Sequence, residues 1–494
     1  MAKALEDIIF NNWQSGIAQS PYVGFADMQN VSISEKPGAL LINFKPTKRS
    51  GTTITNLPTW IVQDDVSSKY FTLDTDGKLY KSTDTITWTL LTGNTLPSAG
   101  AGGQGLAVWR NYVFVARAAA LDVMSISAET WSNSWQAIQS DTFAHPMVHT
   151  QDDKLTGGAG RYVFTLQETS GTTFLPSDSG TYTFTAQKLT LPSKYRVRCL
   201  AELGLDLKIG TWISSTSNQL FEQKTAVIFG WDRVSTSFAG SRTVFVSENG
   251  VSQMLAVNGI LYFVAGLRGN LYATTGGGAR LLKQFKSITF ADSTSLNPRP
   301  GAIASHRNKL LIGMSADLAA VAGGTPLGVY SYDLDTGAVV LENLISTGSG
   351  NNTTQIGALF SSRDVAYLIG WKQDSAQGID QVGASNYRTT SYGALADTDL
   401  RAVGVANFKR PFSTVHILLG RDLASDEGIR VKWRKALDDG FTTMGTYDFA
   451  TYGAVSEIVA DASIPDVTKV QLRIEATTGA SSETSPELME VRLS

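Results

Sequence analysis

The chain has 494 residues, of which only 17% are charged, and it contains 46 glycines, a composition typical of many short strands joined by tight turns. The 41 Lys and Arg residues nearly balance the 44 Asp and Glu residues, so the net charge of −3 excludes a global basic field for holding nucleic acid. The single cysteine, Cys199, excludes an intrachain disulfide and favours folding in a reducing cytoplasm.

The beginning of the chain, MAKALEDIIFNNW, lacks the pattern of a targeting segment. Its apolar run is too short for a signal-peptide core and directly follows Glu6 and Asp7. No stretch of the sequence approaches the roughly 20 consecutive apolar residues that span a bilayer. We therefore expect neither an export signal nor a membrane-spanning segment.

Residues 1–56 are predicted to form an N-terminal arm. Strand-like segments at Val31–Ile33 and Ala39–Phe44 flank the turn residues Lys36-Pro37-Gly38, which predicts a β-hairpin after an extended leader. One interpretation of this arm is a terminal strand that closes the fold of the same chain.

Two groups of side chains in the arm are candidates for binding. The aromatic residues of the polar leader indicate docking, either onto the chain's own propeller or onto another subunit. A local basic cluster lies at the end of the arm, where a solvated hairpin exit is the favoured interpretation. The aromatic candidates are Trp13, Tyr22 and Phe25, and the basic cluster is Lys45, Lys48 and Arg49.

Residues 57–395 are predicted to form a β-propeller, and residues 253–286 show its repeating unit most clearly. Four short apolar segments are separated there by Asn258-Gly259 and by two further Gly-containing turns. Asn-Gly between two β-rich runs is a strong hairpin signal, because both turn residues must adopt positive φ. The unit is therefore a four-stranded meander of the size of one propeller blade.

Similar units recur at intervals of roughly 50 residues, which is in the range of propeller repeats. The predicted number of blades is six or seven, because the third unit is degraded and a strand of the arm could complete the last blade. The other units lie at 57–91, 105–138, 145–191, 195–247, 301–346 and 356–393.

The spacing of strand-like segments in residues 396–494 differs from that of the preceding repeats. About seven strand-like segments occur in roughly 100 residues, and several alternate strictly, as between Val467 and Ile474. This pattern predicts a C-terminal β-sandwich domain without a helix. The predicted fold class is thus all-β, with an arm, a propeller and a sandwich.

The sequence indicates no catalytic, cofactor or metal site. His145 and His149 are four residues apart, but Pro146 prevents a helical metal pair and no Glu or Cys lies beside them. The segment from Ser82 to Trp88 resembles a degenerate Asp-box, a structural turn of sialidase-like propellers. Other acids lie beside turns, and their spacing brings no pair together for glycosidic catalysis. These acids are Asp206, Asp232, Asp333, Asp335 and Asp380.

The order of parts resembles the virion proteins of tailed bacteriophages, and among them the propeller-bearing tail nozzle or tail hub proteins of short-tailed phages. The resemblance is carried by SPYVGFADMQNVSISEKPGALLIN in the arm, by YRVRCLAELGLDLKIGTW, NGILYFVAGLRGNLYAT and VYSYDLDTG in the propeller, and by the terminal sandwich. It covers most of the chain in architecture but transfers no individual functional residue.

The resemblance implies a structural virion protein that is not an enzyme. It implies a homo-oligomeric ring, typically a hexamer, which docks to adaptor and portal proteins, forms the distal DNA conduit and could also hold tail fibres. Viral DNA would be contacted only in passage, which suits a nearly neutral subunit. The protein would assemble in the host bacterial cytoplasm and reside in the virion tail.

The competing hypothesis is a carbohydrate-binding or carbohydrate-active propeller protein that acts on host-surface glycan. A propeller followed by a sandwich also occurs in such enzymes, and the ten Trp residues would serve sugar stacking. A phage protein that binds glycan through its sandwich combines both hypotheses. Because a fold does not fix a function, the choice depends on the site.

Overall fold

The computed structural model describes most of the chain, and all structural statements below concern the described residues. These are 7–17, 25–92, 105–141, 144–169, 182–213, 225–285, 298–315, 327–347, 353–361, 366–388, 394–403, 409–478 and 484–494. Among them the one α-helix is the single turn Phe449–Tyr452, a small departure from the helix-free C-terminal domain that the sequence predicts. No helix in this part of the chain has the length and apolarity needed to cross a membrane.

The N-terminal segment contains five short strands and one 3-10 turn at Trp13–Ser15. The strands are β1 (Ile8–Phe10), β2 (Phe25–Gln29), β3 (Val31–Ser32), β4 (Leu41–Ile42) and β5 (Phe44–Lys48). Strands β3 and β4 pair antiparallel with Val31 opposite Ile42, which confirms the predicted hairpin.

Seven four-stranded antiparallel blades follow. Six of them consist of four consecutive strands, and the seventh takes its fourth strand from the N-terminal segment. Blades one and two comprise β6 (Pro58–Gln63), β7 (Tyr70–Asp74), β8 (Leu79–Ser82), β9 (Thr89–Leu90), β10 (Gly105–Trp109), β11 (Tyr112–Ala116), β12 (Ala120–Ser125) and β13 (Trp131–Ala137). Blades three and four comprise β14 (Met147–Thr150), β15 (Lys154–Ala159), β16 (Tyr162–Glu168), β17 (Tyr182–Thr190), β18 (Tyr195–Leu203), β19 (Asp206–Ile213), β20 (Ala226–Trp231) and β21 (Ala239–Val246).

The remaining blades complete the series. Blade five comprises β22 (Val251–Val257), β23 (Ile260–Ala265), β24 (Asn270–Thr274) and β25 (Arg280–Lys283). Blade six comprises β26 (Ile303–His306), β27 (Lys309–Gly313), β28 (Val329–Asp333) and β29 (Val339–Asn343). Blade seven comprises β30 (Gln355–Ser361), β31 (Tyr367–Gln373) and β32 (Ala376–Tyr387), with β5 as its fourth strand.

The first strands of the blades form a closed ring. Each contacts the first strand of the next blade, and β30 of blade seven contacts β6 of blade one. Apolar clusters fill the spaces between neighbouring blades, as between blades six and seven and between blades seven and one. The fold is therefore a β-propeller, and ring closure fixes the number of blades at seven.

Turn chemistry explains the blade-five hairpin. Asn258 and Gly259 have φ values of 51° and 76°, and Val257 lies opposite Ile260. Both residue types reach positive φ at little cost, so they connect the two strands without splaying them. The Asn-Gly prediction is confirmed.

Apart from the β3–β4 hairpin, the strands of the N-terminal segment join three sheets that other parts of the chain form. Strand β5 pairs with β32 and completes blade seven. Strand β1 pairs with the last strand of the chain, and β2 lies between β29 of blade six and a strand of the C-terminal region. The N-terminus thus closes the propeller and also joins it to the C-terminal region.

The C-terminal region contains two sheets that share one core. Its strands are β33 (Ala394–Thr398), β34 (Arg401–Ala402), β35 (Arg410–Leu419), β36 (Gly428–Arg434), β37 (Thr442–Asp448), β38 (Glu457–Val467), β39 (Lys469–Thr477) and β40 (Leu488–Leu493). One sheet has the order β1-β40-β35-β38, and the other continues from blade six as β29-β2-β33-β39-β36-β37. Apolar residues of both sheets, such as Ile417 and Ile474, belong to the same core.

Candidate functional site

The aromatic candidates of the N-terminal segment pack inside the chain where they are described. Trp13 is fully buried, its ring stacks on Phe25 with centroids 5.1 Å apart, and its Nε1 donates to the Met489 carbonyl oxygen at 2.7 Å. Both rings belong to the core shared with the C-terminal sheets. In this conformation neither ring is available to another subunit, and Tyr22 lies outside the described residues.

The basic candidates lie at the outer edge of blade seven. Lys45 and Lys48 are exposed on β5, and the Lys48 ammonium group lies 5.5 Å from the centroid of the Trp371 ring. Arg49 donates from Nε to Gln381 Oε1 at 3.0 Å. Two of the three cations therefore contact neighbouring groups of their own blade, and the three do not converge on one anion site.

The two histidines near blade three have different environments. His145 is fully buried, and burial lowers its pKa, so the ring is neutral at pH 7. His149 is half-exposed, and its Nε2 lies 3.1 Å from Asp153 Oδ1. Within the described ranges, no group of three His, Cys, Asp or Glu side chains is placed to hold a metal ion.

Cys199 lies in β18 and is buried. Its Sγ is 3.8 Å from the Val251 carbonyl oxygen, and burial raises the pKa of the thiol to about 12. Because the thiolate is the reactive form, this side chain is unreactive at neutral pH.

The turn that resembles an Asp-box organises the outer edge of blade one. Asp84 Oδ1 accepts from the backbone nitrogens of Ile86 at 2.8 Å and Thr87 at 2.7 Å, and these bonds lower the pKa of Asp84. Trp88 is buried and donates from Nε1 to the Thr85 carbonyl oxygen at 3.2 Å. Asp84 therefore has a structural role in closing the turn.

The other acids considered from the sequence have comparable structural roles. Asp232 and Asp333 cap the turns between the third and fourth strands of blades four and six by accepting from backbone nitrogens. Asp380 accepts from the backbone and the hydroxyl of Ser346, both at 2.7 Å. Asp206 accepts from Arg242 Nη1 at 2.6 Å.

A cluster that sequence reasoning missed lies where the N-terminal hairpin meets blades six and seven. We call it the charged cleft, and its enclosed space of about 10 Å³ has room for about one water molecule. Arg307 Nη1 donates to both carboxylate oxygens of Glu35 at 2.8 Å, and Lys309 Nζ donates to Glu342 Oε1 at 2.9 Å. The Lys309 and Glu342 side chains are only 7% and 4% exposed, so this second pair is a buried ion pair.

Two neutral polar rings complete the charged cleft. His306 and Tyr367 have ring centroids 5.2 Å apart, and His306 Nδ1 lies 2.9 Å from Ser361 Oγ. Burial lowers the pKa of His306, assisted by Arg307, and raises the pKa of Tyr367 well above its ordinary value. At neutral pH the imidazole is uncharged and the phenol keeps its proton.

Sequence spacing hides this cluster because Glu35 and Tyr367 are far apart along the chain. The one visible signal is the cationic turn His306-Arg307-Asn308-Lys309 between two apolar strands. Its carboxylate partners come from other elements, and only the folded chain brings them there.

No protein-family model and no curated protein matches the chain. Among solved structures, it is similar to the β-propeller domain of Cps50 (Swd1) from Myceliophteria thermophila, with 8% identity, a TM-score of 0.44, and coverage of 67% of this chain and 98% of that chain. It is also similar to YCF48 bound to D1 peptide, with 12% identity, a TM-score of 0.44, and coverage of 70% and 97%. The assignment of the fold therefore rests on the strand order and the closed ring of blades in this chain.

Proposed function

We propose that this chain is a structural subunit of a bacteriophage tail, a nozzle or hub protein that forms a ring around the DNA exit path. In this proposal the protein is not an enzyme, and its partners are further copies of itself, adaptor or portal proteins, and tail fibres. The order of a propeller followed by a two-sheet C-terminal region, linked by the N-terminal segment, supports the resemblance from which the proposal starts.

The observation that carries the proposal is the continuous sheet between the propeller and the C-terminal region. Strand β2 pairs with β29 of blade six on one side and with β33 on the other, and β33 pairs in turn with β39. Within the C-terminal region, Arg473 of β39 forms a bidentate ion pair with Asp397 of β33, at 2.7 and 2.6 Å. Such bidentate pairs are geometrically specific, and the shared sheet resists hinge motion between the two parts.

A subunit whose propeller and C-terminal region are rigidly joined suits a ring that must keep its shape while the genome passes through it under pressure. The propeller offers broad surfaces for neighbours, and the C-terminal sheets are held at a fixed position beside blade six. Closed symmetric rings need such self-complementary, fixed surfaces. The near-neutral net charge of −3 also suits a conduit that must not retain DNA.

The test is the mass of the purified protein by light scattering, together with electron microscopy of the phage particle. We expect a ring of six copies, with a mass six times that of one 494-residue chain, located at the tail. A stable monomer in solution that is absent from every particle would contradict the proposal and would favour the carbohydrate-binding alternative.

A further inference from the structure

The chain contains two Asn-Gly sequences, and both lie at the beginning of blade five. Asn249-Gly250 directly precedes β22, and Asn258-Gly259 forms the turn between β22 and β23. Glycine has no Cβ, so its backbone nitrogen is the least hindered of all residues for attack on the side-chain amide of the preceding asparagine. Because the two pairs are chemically identical, their surroundings in the fold decide which of them reacts.

The Asn258-Gly259 pair is open to this attack. Both residues are exposed, and a Cβ placed on Gly259 would meet no heavy atom within 4 Å. Among the described residues, no hydrogen bond engages the Asn258 side chain or the Gly259 nitrogen. An exposed turn without buried contacts opens locally at a small free-energy cost. The two groups can therefore reach the geometry for reaction while the rest of the blade stays folded.

The Asn249-Gly250 pair is held in the interior. Asn249 is 4% exposed, and Gly250 packs so closely on Trp212 that an added Cβ would lie 2.2 Å from the indole ring. The Gly250 carbonyl oxygen also accepts from the Gly266 nitrogen at 2.9 Å. Reaction at this pair requires the blade to open, and buried segments open at a much higher free energy than exposed turns.

We propose that Asn258 is a site of spontaneous deamidation, and that the fold protects Asn249 from the same reaction. The Gly259 nitrogen bonds to the side-chain carbonyl carbon of Asn258, the bond from that carbon to the amide nitrogen breaks, and ammonia leaves with the proton of the Gly259 nitrogen. Water then opens the resulting succinimide. Opening at the side-chain carbonyl carbon gives aspartate, and opening at the backbone carbonyl carbon gives isoaspartate.

The two products affect the turn differently. Aspartate keeps the length of the main chain and tolerates a left-handed φ, so Val257 can remain opposite Ile260. Isoaspartate leads the main chain through the former side chain and lengthens it by a carbon atom, which no longer fits a two-residue hairpin turn. We therefore expect the isoaspartate form to unfold at a lower temperature. The proposal concerns a single chain and does not depend on the proposed tail function.

The test is to age the folded full chain in warm, mildly alkaline buffer and to follow both sites by tandem mass spectrometry. No Lys or Arg lies between the two sites, so they share a tryptic peptide and are assigned from fragments cleaved between them. An isoaspartyl methyltransferase distinguishes isoaspartate from aspartate. Because reaction at Asn249 must await opening of the blade, we expect it to be about tenfold slower or more than reaction at Asn258.

The same chain unfolded in denaturant is the control for the intrinsic reactivity of the two pairs. There the sites should react at similar rates, because the protection at Asn249 is lost. Equal rates at the two sites of the folded chain would overturn the proposal. An unmodified Asn258 in the folded chain, after a time that modifies the unfolded chain completely, would also overturn it.

Two variants separate the reaction from its effect on the turn. Asn258→Gln has a longer side chain that cannot form the succinimide, so it should remove nearly all of the product formed by the folded chain. Freshly purified Asn258→Asp carries the aspartate product alone and should melt like the parent, whereas aged parent protein enriched in isoaspartate should melt at a lower temperature. Persistence of the product in Asn258→Gln would overturn the assignment to Asn258, and identical melting of the aspartate and isoaspartate forms would overturn the assigned effect on the turn.

Discussion

Blade five and blade seven illustrate two ways of building the same four-stranded sheet. Blade five takes all four strands from consecutive residues, β22 to β25, and its turns are encoded locally by residues such as Asn258 and Gly259. Blade seven takes its fourth strand, β5, from the N-terminal segment, and Arg49 contacts Gln381 across 332 positions of sequence. The contrast shows that local turn chemistry specifies one blade, whereas chain closure specifies the other. Mutations that disrupt these two blades should therefore lower the stability of the protein by different amounts.

The largest expected effect follows from removing residues 1–49. This deletion takes away β5 from blade seven and β2 from the sheet between the propeller and the C-terminal region. We expect loss of the cooperative thermal transition in circular dichroism, because two sheet edges and the β2 bridge are lost together. Addition of a synthetic peptide of residues 25–49 should restore part of the transition. A truncated chain that melts like the full chain would show that closure by β5 is dispensable.

The second largest effect is expected at Trp13. Trp13→Ala removes a fully buried ring that stacks on Phe25 and bonds to the Met489 carbonyl, and it should lower the free energy of unfolding by about 3–5 kcal/mol. Trp13→Phe keeps an aromatic ring and should cost distinctly less. Denaturant unfolding measures both. If the Ala variant is as stable as the parent, Trp13 does not anchor the N-terminal segment to the core.

A pH effect is expected at Asp27, which lies on β2 opposite Asp397 and near Gln29 and Arg473. Burial raises the pKa of Asp27 from 3.8 to about 6, with a smaller contribution from Asp397. Because the folded state holds this proton more tightly than the unfolded state, the free energy of unfolding should fall as pH rises from about 4 to about 6. Two pKa units correspond to at most about 3 kcal/mol.

The matched variant for this effect is Asp27→Asn, which imitates the protonated carboxyl group. It should be more stable than the parent above pH 6 and should lose the decline between about pH 4 and pH 6. Chemical denaturation at a series of pH values measures this. A parallel pH dependence in both proteins would contradict the assignment of the decline to Asp27.

The smallest effect is expected in the locally encoded turn of blade five. Gly259 has a φ of 76°, so Gly259→Ala should cost about 1 kcal/mol through backbone strain alone, since its Cβ would meet nothing within 4 Å. Gly277→Ala is the matched control, because that glycine has no left-handed φ and equally open space. Thermal unfolding of the two variants should therefore differ. If both melt alike, the left-handed turn is not what specifies the hairpin.

The sequence by itself determined the strand-rich class, the repeating four-stranded units, the hairpin at β3 and β4 and the Asn258-Gly259 turn. All of these depend on interactions between near neighbours in sequence, such as the alternation of apolar residues and the φ preference of turn residues. Such signals can be read directly from the chain. They also located the Asp84 turn correctly as a structural feature.

Only the tertiary structure decided that seven blades close the ring, that β5 belongs to blade seven, and that β1 and β2 join the C-terminal sheets. It also decided that Trp13 and Phe25 pack inside the chain, and that Glu35 and Glu342 meet Arg307 and Lys309 in one cleft. The partner of an edge strand or of a charged side chain depends on which groups remain unpaired after distant elements have packed. Sequence periodicity does not predict these partners, because it shows which face of a strand is buried and not which strand lies beside it.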